Sequence, residues 1–129
     1  MNRIICLAVL LFFQLSTVIA QQSPATDPRI TEVYGNYAQQ LTPEQMAWTQ
    51  TKLQRSEVHL LPFSASEQYP KLSSLSVINK YVPSLVMDSV FDPTHINPLK
   101  YTIDFYNTQE DLIYRIDNTD YVLFIAKKN

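Results

Sequence analysis

The chain has 129 residues, with ten Lys or Arg against twelve Asp or Glu and a formal net charge of −2. No run of basic residues builds the clustered positive face that phosphate neutralisation needs, so no nucleic-acid binding is expected. Gly35 is the only glycine. Phosphate-cradling loops, dinucleotide fingerprints and nucleophile elbows all need glycine where the backbone turns sharply or nears a ligand, so no cofactor is expected.

Residues 1–20 have the layout of a cleaved secretory signal: Arg3, an apolar run from Ile4 to Leu15, then Val18 and Ala20 at the spacing that a signal peptidase accepts. That run is too short to span a bilayer, so no membrane span is expected after a cut before Gln21. Cys6, the only cysteine, lies inside the signal. Small exported eukaryotic domains generally lean on disulfides, so a cysteine-free exported chain points to a bacterial periplasm or cell surface, or to release outside the cell. Residues 21–27 form a polar lead-in, and residues 28–129 are long enough for one domain.

Asp27 and Pro28 read as a helix N-cap and first turn. Ile30, Val33, Tyr34, Tyr37 and Leu41 then repeat at helical spacing, predicting a helix over 28–40 with Gly35 as a weak point. The second start is sharper. Thr42 is the N-cap, Pro43 follows it, Gln45 is the return arm of a capping box, and Leu41 with Met46 forms a hydrophobic staple. This helix should reach about Arg55, with Lys52 and Arg55 at the negative end of its dipole. Glu57 to Leu61 changes to period two and reads as a strand stopped by Pro62.

Residues 62–99 carry Pro62, Pro70, Pro83, Pro93 and Pro98 among many serines. Most of this stretch should be irregular, with one short helix over 74–80. A loop this long is commonly functional or draped over a sheet face.

The last third predicts a three-stranded meander of Tyr101–Tyr106, Leu112–Asp117 and Asp120–Ala126. In its register Phe105, Ile103 and Tyr101 oppose Leu112, Tyr114 and Ile116, and those three in turn oppose Ile125, Leu123 and Tyr121, making one dry face. The other face is mixed. A final strand apolar on both sides belongs inside the sheet, beside Glu57–Leu61. The expected fold class is therefore α+β: two N-terminal helices packed on one face of a small, mainly antiparallel sheet that ends in this meander, with the proline-rich stretch across the second face.

Little in the chain announces chemistry. Glu57 and His59 project from the same side of a strand, and Asp88, Asp92 and His95 form a second group. Together they are the minimum for a metal-dependent or acid/base hydrolase, with His59, His95 and Asp92 the metal ligands, although Asp92-Pro93 is equally a turn signal. Asp117 to Asp120 is oxygen-rich but explained by turn formation. Lys127 and Lys128 read as a solvated, frayed end.

Eight tyrosines are the distinctive feature. Tyrosine offers a rigid surface with a polar tip, suited to interfaces and sugar stacking. The core assignment absorbs five of them and leaves Tyr69, Tyr81 and Tyr106 as candidate contacts. The expectation is a binding module rather than an enzyme, meeting an envelope protein or a cell-surface glycan, with the hydrolase as the alternative.

Overall fold

The expected start signals are met at both N-terminal helices. In the computed structural model, which describes residues 26–129, α1 spans Pro28–Tyr34 and Asp27 Oδ1 accepts from the Arg29 N–H at 2.9 Å. The predicted helix over 28–40 ends early. Gly35 takes φ +53°, a left-handed conformation that costs other residues dearly, and the chain tightens into a 3₁₀ helix over Gly35–Gln40. A Cβ at Gly35 would also meet Val82 Cγ2 at 3.0 Å. The signal assigned to residues 1–20 lies outside the described residues, as does most of the lead-in.

Helix α2 spans Pro43–Gln54 with both arms of its capping box formed. The Gln45 N–H donates to Thr42 Oγ1 at 3.2 Å, and the Thr42 N–H donates to Gln45 Oε1 at 2.9 Å. Thr42→Ala is expected to lower stability by about 1 kcal/mol, read as a shift in the urea midpoint. A loss equal to that of an exposed substitution elsewhere in α2 would show that the box contributes nothing.

Strand β1 (Ser56–Leu60) follows directly. It pairs antiparallel with β3 (Tyr121–Ile125), which pairs antiparallel with β2 (Leu112–Arg115), giving the order β1-β3-β2. The last strand is interior and flanked by the 57–61 segment, as its two apolar faces require. The hairpin register matches the parity argument: Leu112 opposes Ile125, Tyr114 opposes Leu123, and the Ile116 N–H donates to the Tyr121 carbonyl at 3.0 Å. Asn118 turns the hairpin at φ +59°, a conformation asparagine tolerates.

Three expectations are corrected. Residues 101–106 do not join the sheet. The Tyr101 backbone bridges Val77, the Thr102 N–H donates to Ser76 O, and the Ile103 and Phe105 N–H groups close onto Tyr101 O and Ile103 O at 2.8 and 3.0 Å. These are three-residue turns rather than a ladder, and residues 76–78 have taken the partnership that β2 was to supply. Tyr101, Ile103 and Phe105 still face the core, so the dry face survives without the strand.

The cover of that face is also different. Leu72, Ile96, Tyr101, Ile103 and Phe105 form one buried cluster with Ile116, Leu123 and Ile125, and Leu75, Val77, Met87 and Phe91 pack against it. The proline-rich stretch therefore lies over the first face, not the second. Of the two helices only Trp48 joins this cluster. Their apolar sides build a separate small core of Ile30, Val33, Ala38, Leu53 and Leu99.

The helix expected over 74–80 is absent. The stretch holds instead a one-turn helix α3 (Phe63–Ser66) and short 3₁₀ turns at Leu72–Ser74 and Pro98–Lys100. Phe63 of α3 lies under the Arg115 guanidinium, 5.5 Å from ring centre to Cζ. Among the described residues, no helix is long and apolar enough to cross a membrane.

Candidate functional site

Helical spacing places Trp48, Lys52 and Arg55 on one side of α2, four and seven residues apart. Residues 104–107 bring Tyr106 alongside, its backbone held by Asp104 Oδ1 at 3.0 Å. The Trp48 and Tyr106 rings meet at 5.1 Å between centroids, and Trp48 Nε1–H donates to Tyr106 Oη at 3.1 Å. Tyr106 is 63% exposed.

Cations surround this pair. Lys128 Nζ lies 5.1 Å from the Trp48 ring centre and 5.3 Å from that of Tyr106. Lys52 Nζ is 5.7 Å from Trp48 and 5.5 Å from Phe105, and Arg55 Cζ is 5.8 Å from Trp48. These are cation–π distances. Burial lowers the Lys52 pKa below the ordinary lysine value.

Arg55 is committed to the fold, donating through Nη1 to Phe105 O at 2.7 Å and through Nη2 to Ala126 O at 2.7 Å. Lys52 and Lys128 are not. Among the described residues neither makes an ion pair with a carboxylate. The platform thus combines two aromatic rings with two uncompensated ammonium groups, an arrangement that can take an anionic group beside an apolar surface.

Sequence reasoning singled out Tyr106 and did not single out Trp48, Lys52, Arg55 or Lys128. Lys128 read as part of a frayed tail, but the tail is pinned: the Lys128 N–H donates to Asn107 O at 2.8 Å and the Lys127 N–H to Asp111 Oδ1 at 2.9 Å. The i, i+4, i+7 spacing of Trp48, Lys52 and Arg55 was the available signal. Nothing in the sequence brings residues 106 and 128 to that face.

The other two tyrosine candidates lie elsewhere. Tyr81 stacks on Tyr37 at 4.6 Å and tilts against Tyr34 at 5.0 Å, so it closes an aromatic cluster beside α1. Tyr69 is half-buried and borders a shallow pocket with Pro70, Glu110 and Tyr114.

The five hydrolase candidates form two pairs and one clamped carboxylate. Glu57 Oε2 and His59 Nε2 sit 3.0 Å apart on exposed β1. Asp92 Oδ2 and His95 Nδ1 are 2.7 Å apart within one turn, where Thr94 Oγ1 also donates to Asp92 Oδ1 at 2.7 Å. The hydrogen bonds from Thr94 and then His95 lower the Asp92 pKa to about 2, so this carboxylate is ionised and structurally engaged at neutral pH. Asp88 accepts from Lys100 and Tyr101. Among the described residues, no three His, Cys, Asp or Glu gather as a metal site requires. Likewise Asp117 of the oxygen-rich turn accepts from the Ser73 N–H at 3.1 Å and from its hydroxyl.

Comparison with protein families, with curated proteins and with solved structures finds no match to this chain.

Proposed function

We propose that the chain is a small exported binding module of a bacterial cell envelope, and that its partner is an envelope protein or cell-surface glycan that presents carboxylates to the Trp48–Tyr106 platform. The observation that carries this reading is the pair of ammonium groups held against aromatic rings without a carboxylate partner among the described residues, Lys52 beside half-buried Trp48 and Lys128 beside Trp48 and exposed Tyr106. Export rests on the sequence of residues 1–20.

Trp48 is the only tryptophan, so its emission reports on the platform directly. Titration with a polyglutamate peptide and with a polyuronate glycan is expected to shift that emission, more weakly at high salt, while a neutral glycan leaves it unchanged. Lys128→Glu should weaken binding by about tenfold, a 1.4 kcal/mol change. Unchanged emission with both anionic ligands, or equal binding by Lys128→Glu, would refute the reading. Export is checked separately by N-terminal sequencing of protein recovered from expression of the full chain: a start at Gln21 is expected, and a retained Met1 would refute it.

A further inference from the structure

Among the described residues, strand β1 is an open edge of the sheet. Its residues 57–60 are all exposed, Leu60 at 66% and Val58 at 38%. The opposite edge is capped at Arg115, whose N–H donates to Pro70 O at 2.8 Å and whose guanidinium Nε donates to Tyr69 O at 2.8 Å. An unpaired edge is a template for another strand, and proteins ordinarily blunt it with lysine, proline or a bulge. None of these occurs in Ser56–Leu60.

The ladder geometry shows which groups are free. The Ala126 N–H donates to Arg55 O at 2.9 Å and the Leu61 N–H donates to Asp120 O at 2.8 Å. Since hydrogen-bonding direction alternates along an antiparallel strand, Arg55, Glu57, His59 and Leu61 direct their backbone toward β3. Ser56, Val58 and Leu60 direct theirs away from the sheet.

We propose that this edge pairs with the β1 edge of a second copy of the chain, antiparallel about a two-fold axis midway between the two Val58 residues. The sequence Ser-Glu-Val-His-Leu is complementary to itself in that register. Val58 faces its own copy and Ser56 faces Leu60, each pair exchanging outward N–H and C=O groups. Glu57 faces His59 of the second copy, and His59 faces Glu57. Glu57 and His59 occupy the non-hydrogen-bonded positions, where opposed side chains approach most closely. Each Glu57 already lies 3.0 Å from its own His59, so pairing joins two such pairs into an alternating cluster. On the other sheet face, Val58, Leu60 and the 39%-exposed Tyr121 supply the apolar surface. The two three-stranded sheets become one of six, through an isologous contact that closes on itself.

The test is sedimentation equilibrium of protein recovered from expression of the full chain, over about a hundred-fold range of concentration. A reversible monomer–dimer equilibrium is expected. Val58→Pro removes an outward N–H and spares the β1–β3 ladder, a substitution that edge strands tolerate, so it should remain folded by circular dichroism and stay monomeric throughout. His59→Glu sets two carboxylates against each other and should also be monomeric, while the double variant Glu57→Lys/His59→Glu sets an ammonium against each carboxylate and should restore the dimer. A wild-type monomer at every concentration would overturn the proposal. So would dimerisation by Val58→Pro as strong as that of the wild type, or failure of the double variant to recover any association that His59→Glu loses.

Discussion

Leu72→Ala is expected to lower the free energy of unfolding by about 3 kcal/mol, within the range found for leucine truncation at fully buried sites. Leu72 is 0% exposed and lies in a three-residue 3₁₀ turn, so little of the loss can be ascribed to local secondary structure. The loss arises because the proline-rich stretch is the lid of the sheet. Leu72 fills the space over Ile116, Leu123 and Ile125 with Ile96, Tyr101, Ile103 and Phe105, and alanine would leave a cavity that a strap tied at both ends cannot collapse into. Val90→Ala, at a site 82% exposed in the same stretch, is the control and should fall within about 0.5 kcal/mol of the wild type. Urea unfolding followed by circular dichroism decides the matter. Equal, small effects at both positions would mean that the stretch contributes no core.

The second large effect is expected at Asp88. Lys100 is almost wholly buried, its side chain 5% exposed, and its ammonium lies 2.6 Å from Asp88 Oδ1. The Tyr101 hydroxyl donates to Asp88 Oδ2 at 2.5 Å. One carboxylate therefore satisfies both a buried cation and a buried phenol. Asp88→Ala would strand the ammonium in the interior, a change that costs roughly 3–5 kcal/mol for fully buried pairs. Because Asp88 itself is 35% exposed, water can reach the site, and about 3 kcal/mol is the expected loss. Replacing both partners, Asp88→Leu with Lys100→Met, should recover much of it, since no buried charge then remains. A double variant no more stable than Asp88→Ala would mean that the segment is held by something other than this pair.

The same cluster has a consequence at high pH. Burial first, and then the hydrogen bond to Asp88, push the Tyr101 phenol above its ordinary value of 10.0. The folded chain keeps this proton where the unfolded chain releases it. The contribution is therefore fully present below pH 10 and declines as pH rises beyond it, at up to about 1.4 kcal/mol per pH unit. Tyr101→Phe should flatten the fall in urea stability above pH 10. A smaller slope will persist from Tyr114, whose pKa burial also raises. An alkaline profile identical in wild type and Tyr101→Phe would place the titrating group elsewhere.

The candidate platform illustrates why sites are harder to read than elements. Tyr106 stood out because no face assignment used it, and Trp48, Lys52 and Arg55 share a helix side by spacing alone. Their meeting with Lys128 depends on the C-terminal tail docking its backbone N–H groups on the Asn107 carbonyl and the Asp111 carboxylate, contacts that no periodicity in the sequence announces. The Glu57–His59 pair, by contrast, follows from strand alternation alone.

Local chemistry made much of the fold legible: the N-caps of α1 and α2, the strand character of 57–61, the β2–β3 register and the interior place of β3. Each rests on interactions within a few residues or on alternation that only one register satisfies. Residues 101–106 and the proline-rich stretch were decided by tertiary structure. Tyr101, Ile103 and Phe105 carry the period-two pattern of a strand, and that pattern requires only that alternate side chains be buried. Their backbone groups were free to choose any partner, and took Ser76 and one another instead of β2. Burial is a demand that sequence states plainly, whereas the segment that meets it is settled by competition among all segments able to reach.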